Sequence, residues 1–141
     1  MKKVLCLMLI ASILLIVPSC GNAEVKSDET VDVDMAGFSS TMVYSQVCNI
    51  FENYRDYVGK SIRLPGQFNT YEKGGGAVGY VCLVVDSTAC CSVGFELVFK
   101  EDRALSDGLP AENDPILVTG VFNVEERDGK SYAQLVDVKL Q

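Results

Sequence analysis

The spacing of apolar residues changes several times along the chain. Met1-Lys2-Lys3 is followed by a fourteen-residue apolar run, positions 4–17 (VLCLMLIASILLIV), interrupted only by Ser12, and then by Pro18-Ser19-Cys20-Gly21. A spanning helix needs about 20 residues, so this run is short for one. A basic start, an apolar middle and a small-residue end predict a signal peptide over 1–19. An ordinary signal peptide cut nearby, or an uncleaved anchor, is the alternative. Positions 21–41 are polar and acidic without sustained periodicity, which predicts a flexible tether over 20–41 with a reach of roughly 25 Å. Val31-Asp32-Val33 alternates like a strand but is too short to count as one.

A helical period follows. Val43, Val47, Ile50, Phe51, Tyr54 and Val58 share one face of a 3.6-residue period, predicting an amphipathic helix over 43–58. Ser39, Ser40 and Thr41 are candidate N-caps, and Gly59 is the expected stop. From Lys60 the period becomes two. Strands are predicted at 61–72, with a bend at Pro65-Gly66, and at 79–85, 91–99, 116–125 and 131–140. The 79–85 run is nearly continuous in apolar residues, as in a strand buried on both faces. Gly74-Gly75-Gly76 and positions 86–90 are turns, 100–114 is a long loop, and Asp128-Gly129 signals a hairpin. One helix, five short strands and a long connection between the third and fourth predict a mainly β domain over 42–141. Its expected architecture is a five-stranded OB-like Greek-key barrel, with an open β-sandwich as the alternative.

Composition narrows the function. Of 141 residues, 48% are apolar and 22% charged, as in a globular protein. The net charge of −7 argues against nucleic acid as a partner. The chain has no histidine. That excludes Ser-His-Asp and Cys-His catalysis, HExxH sites and every His-ligated metal. The expectation is a protein that is not an enzyme and has no obligatory cofactor.

Val17-Pro18-Ser19-Cys20 resembles the lipobox of bacterial lipoproteins. The resemblance implies that Cys20 becomes the acylated first residue of the mature chain, holding an extracytoplasmic domain at the membrane of the cell envelope. Loss of Lys2 and Lys3 would make the mature chain still more acidic, so acyl chains rather than a basic patch would hold it there. Further on, the segment 58–68 (VGKSIRLPGQF), the stretch 86–96 with Cys90-Cys91, Val118-Thr119-Gly120-Val121-Phe122 and Asp128-Gly129-Lys130-Ser131-Tyr132 together resemble a group of bacterial lipoproteins without an established activity. They are also similar to the OB-like domain that ends one subunit of a two-subunit bacterial permease family. This likeness spans about residues 50–139. It implies an extracytoplasmic OB-like domain and, since that permease family is linked to metal homeostasis, raises metals as an expectation. Transport does not carry over.

Six cysteines are present. Cys6 belongs to the signal and Cys20 to the lipid, leaving Cys48, Cys82, Cys90 and Cys91. Outside the cytoplasm four cysteines would ordinarily form two disulfides. In a regular hairpin around 86–90, however, Cys82 lies three ladder positions, roughly 10 Å, from the residue opposite Cys91. A disulfide needs Cα atoms within about 7 Å. Cys82, Cys90 and Cys91 could hold zinc only if the turn folds back or the helix brings Cys48 over, and the C-x₂-C spacing of strong zinc motifs is missing. A redox-active Cys90-Cys91 pair is a second option. The bland option makes Cys82 and Cys91 small core residues, with Cys48 and Cys90 free or bridged. Tyr71, Tyr80, Phe122 and Tyr132 are candidates for a ligand-binding barrel surface, with a protein, peptide or glycan as the partner. The favoured function is a lipid-anchored, non-catalytic binding or interaction module; the alternative is cysteine-dependent metal handling or thiol redox chemistry.

Overall fold

A computed structural model describes residues 30–100 and 108–141. Helix α1, Ser40–Glu52, begins where the Ser39 hydroxyl accepts from the Met42 N–H at 3.4 Å. It buries Val43, Val47 and Ile50, as the period requires. It ends six residues short of the predicted 58. The Asn53 amide donates to the Asn49 carbonyl at 3.2 Å, competing for the acceptors that would carry the helix on. A single 3₁₀ turn, Tyr54–Asp56, follows, and Val58 is left exposed. Gly59, at φ +84°, is therefore not the residue that stops α1. It turns the chain into the barrel, where its N–H donates to the Phe122 carbonyl at 2.9 Å.

The expected tether is partly folded. A short strand β1, Val33–Asp34, pairs in parallel with the first long strand, β2, Ser61–Lys73. Asp32 accepts from the Ser61 N–H and hydroxyl at 2.8 and 2.7 Å, and Met35 is wholly buried. Short alternation hid this strand, because a two-residue strand lives on its tertiary partners rather than on its own period.

Four more strands complete the sheet: β3, Ala77–Val85; β4, Ser92–Val98; β5, Pro115–Arg127; and β6, Lys130–Leu140. The order runs β2-β3-β4-β6-β5, and β5 returns to pair with β2. β4 and β6 are parallel, and the other pairings around the ring are antiparallel. The described residues thus form a closed five-stranded barrel of OB-like topology with one α-helix, and the open-sandwich alternative falls. Closure depends on β2 changing partner. Ser61 to Gln67 pair with β5, and Gln67 to Lys73 pair with β3. The switch falls at the predicted Pro65-Gly66 bend. A Cβ on Gly66 would sit 2.4 Å from the Cys82 Sγ and 2.8 Å from the Leu83 carbonyl oxygen, so glycine is required there.

Phe68, Phe95, Phe122, Ile62, Leu64, Val118 and Leu135 fill the barrel. α1 covers one opening. Its Phe51 stacks on Phe95 at 5.2 Å between centroids, and Phe95 meets Phe122 edge-on at 5.7 Å. The β5–β6 hairpin turns through Asp128 and Gly129, both at positive φ, as a type I′ turn demands. β3 is buried on its inner face only; Val81, Leu83 and Val85 on the outer face are half-exposed. Among the described residues no helix is long and apolar enough to cross a membrane.

Candidate functional site

Among the described residues, two clusters of chemistry-bearing side chains sit on the barrel. The first is on its outer wall. β4 alternates Phe95 and Leu97 inward with Glu96 outward, yet the Glu96 side chain is only 6% exposed. Its cover comes from three other strands, β2, β5 and β6. Tyr71, on β2, lies across β3 at Gly79, where a Cβ would come within 2.4 Å of the ring. Its hydroxyl donates to Glu96 Oε1, and Lys73 Nζ pairs with the same oxygen. From β5, Arg127 pairs with Glu96 Oε2 through Nη2 while its guanidinium lies 4.2 Å above the Tyr132 ring. Gln134, opposite Glu96 in the β4–β6 ladder, donates Nε2 to Oε2 at 3.0 Å. Glu125 meets Arg127 Nε at 2.9 Å.

Burial alone would raise the Glu96 pKa. Hydrogen bonds from Lys73, Tyr71 and Gln134, with the Lys73 charge, outweigh it and hold the carboxyl at about 2. Tyr71 moves the other way, to about 12, through burial and then through its bond to the Glu96 carboxylate and that charge. Glu96 thus stays ionised and Tyr71 protonated across the ordinary pH range. Two cations, Lys73 and Arg127, balance two carboxylates, Glu96 and Glu125.

The second cluster is the turn between β3 and β4. The Asp86 N–H donates to the Cys91 carbonyl at 3.0 Å, and Ala89, at φ +56°, returns its N–H to the Asp86 carbonyl at 3.0 Å. The Asp86 carboxylate organises the interior of the turn. Its Oδ1 accepts from the Cys90 N–H at 3.0 Å, and its Oδ2 accepts from the Thr88 hydroxyl at 2.9 Å and the Cys90 thiol at 3.4 Å. The Cys90 and Cys91 sulfurs are 3.4 Å apart, and both residues are exposed. Burial opposes ionisation of Asp86, but the bonds from Thr88 and Cys90 hold its carboxyl below the usual range. The Cys91 thiol is pushed up by its bond to Cys90, by burial and by the Asp86 charge. Ser40 and Val43 of α1 line the same groove as Asp86, Ser87 and Ala89, so the helix lies at the rim of the turn, and Tyr44 on α1 has its pKa raised by burial and then by the nearby Cys48, Cys91 and Asp86. An open groove of about 640 Å³ runs from Asp86 and Ala89 past Leu83 and Val85 to Pro65 and Phe38.

The sequence candidates sort as follows. Cys82 pairs with Phe95, four ladder positions from Cys91 rather than three, because Asp86 stands opposite Cys91. It is buried beneath Gly66, its thiol pushed up to about 12 by burial, and it belongs to neither cluster. All four cysteines of the described residues are free thiols. Cys91 is not a core residue, since β4 begins only at Ser92. Phe122 points into the barrel and is wholly buried, so it forms no part of a binding surface. Tyr80 is wedged between Phe68 and Phe99, with centroids 5.8 and 5.9 Å away. Tyr71 and Tyr132 do converge, both on the Glu96 network. Asp86, Glu96, Lys73 and Arg127 were missed. Asp86, four residues before Cys90, carried a turn signal that could have found it. The others carried none, because they meet only when strands distant in sequence become neighbours. Cys6 and Cys20 lie outside the described residues.

Comparison of the chain with protein-family models, with curated proteins and with solved structures finds no match.

Proposed function

We propose that this chain is a bacterial envelope lipoprotein, acylated at Cys20, whose OB-like barrel is a non-catalytic binding module. The observation that carries the binding reading is the Glu96 network. It lies on the wall between the Gly74–Gly76 turn and the Asp128-Gly129 turn. In OB folds the equivalent face, between the loops joining strands one to two and four to five, receives ligands. The charges of the network balance internally, and the whole chain carries −7. Such a face suits an uncharged or zwitterionic partner rich in hydrogen-bonding groups, namely a protein or peptide segment or a glycan, rather than a polyanion. A chain without histidine supports the non-catalytic reading.

Photo-crosslinking residues at exposed Glu72 and Lys130, which flank the network, test the face in the native envelope, with Thr41 on α1 as the control. Adducts of discrete mass from positions 72 and 130, and none from 41, are expected. Equal labelling at all three positions, or none at any, overturns the reading.

A further inference from the structure

The vicinal cysteine turn lies apart from the Glu96 face, and nothing in the binding-module reading uses it. Free cysteine is among the most buried residue types. Here two adjacent thiols are both exposed, and a carboxylate is aimed at one of them. The three ligand atoms, from Asp86, Cys90 and Cys91, all lie within 4.8 Å of one another. A tetrahedral ion bound at about 2.3 Å to sulfur and about 2.1 Å to oxygen sets its ligands roughly 3.6–3.8 Å apart. The Cys90–Cys91 sulfur separation is 3.4 Å and the Cys90 sulfur to Asp86 Oδ2 separation is also 3.4 Å, so these two pairs stand within a few tenths of an ångström of that spacing, and the third pair lies within 4.8 Å.

We propose that Asp86, Cys90 and Cys91 form a binding site for a thiophilic divalent cation of the zinc class. All three donors come from one six-residue turn that backbone hydrogen bonds already close, so little ordering is left for binding to impose. Two thiolates make the site soft, and the added carboxylate brings the donor charge to −3, which suits a dication better than a monovalent soft ion. Binding replaces two S–H bonds by two sulfur–metal bonds and releases both protons to solvent. A fourth coordination position stays open toward the groove beside Asp86 and Ala89, so the bound ion would be exchangeable rather than enclosed.

The test uses the full-length chain in detergent, reduced, freed of reductant and chelator, and titrated with Zn²⁺ and with Co²⁺ as the spectroscopic probe. One ion per chain is expected, with the visible spectrum of tetrahedral cobalt and a thiolate-to-metal charge-transfer band. Cys90→Ser and Cys91→Ser are expected to weaken binding about a hundredfold each, and Asp86→Asn about tenfold. Unchanged far-ultraviolet circular dichroism shows that each variant still folds. The proposal is overturned if the reduced wild type binds no ion, or if the serine variants bind as the wild type does. A Cys90–Cys91 disulfide that re-forms and prevents loading would overturn it in favour of a redox pair. None of these outcomes touches the crosslinking result at the Glu96 face.

Discussion

Replacing Glu96 by Gln preserves shape and removes one charge, so it isolates what the wall network contributes. In the folded chain the carboxyl titrates at about 2, against 4.5 for an unperturbed glutamate. At 1.36 kcal/mol per unit that difference amounts to at most about 3 kcal/mol. Lys73 and Arg127 are 35% and 30% exposed, so solvent screening brings the expected value nearer 2 kcal/mol. The sign follows from the depressed pKa. The contribution is complete above pH 4.5 and fades as pH falls toward 2, where the folded carboxyl also takes up its proton. Glu96→Gln should therefore cost about 2–3 kcal/mol at pH 7 and almost nothing near pH 2. Breaking one partner of a buried ion network leaves the others uncompensated, so the loss at neutral pH should not be smaller than this. With no tryptophan in the chain, urea unfolding followed by circular dichroism is the suitable assay, run for both proteins at several pH values with the m-values compared. Taking the difference at each pH cancels the titration of the other carboxylates. A gap that stays constant from pH 7 to pH 2.5, or that is below about 0.5 kcal/mol throughout, would refute the argument.

Gly66→Ala drives a Cβ to 2.4 Å from the Cys82 sulfur at the point where β2 changes partner; a loss of about 2–4 kcal/mol in urea unfolding is expected, partly recovered by adding Cys82→Ala. Met35→Ala should cost about 2–4 kcal/mol, because Met35 is wholly buried; a chain whose stability ignores this change would show that β1 is not docked. Cys20→Ser should move the protein from the membrane fraction to the soluble fraction and abolish labelling by a fatty-acid analogue; continued membrane retention would point to an uncleaved anchor.

How much could be read beforehand depended on whether a feature is local. The helix face of Val43, Val47 and Ile50, the alternation of β4 and the Asp-Gly hairpin are all written in spacings of a few residues, and the barrel reproduces them. The helix end was lost because Asn53 acts through a side-chain bond to Asn49 that no hydrophobic period encodes. β1 was lost because two residues carry too little pattern, although Asp32 and Ser61 hold it through three hydrogen bonds. The aromatic candidates show the same division. All four were chosen for ring chemistry alone, but inside and outside on a strand differ by one position. Phe122 therefore falls in the core, while Tyr71 and Tyr132 fall on the wall. What unites those two is Glu96, whose outward position reads in sequence as an ordinary solvated charge. Its burial depends on Gly79 letting the Tyr71 ring cross β3, and on the register that sets Gln134 opposite it. The vicinal cysteines lie at the opposite extreme. Asp86, Cys90 and Cys91 fall within six residues, so their convergence is a property of one turn. From sequence, Cys82 is grouped with Cys90 and Cys91 where the turn sets Asp86, because a carboxylate in a turn reads as an ordinary solvated charge.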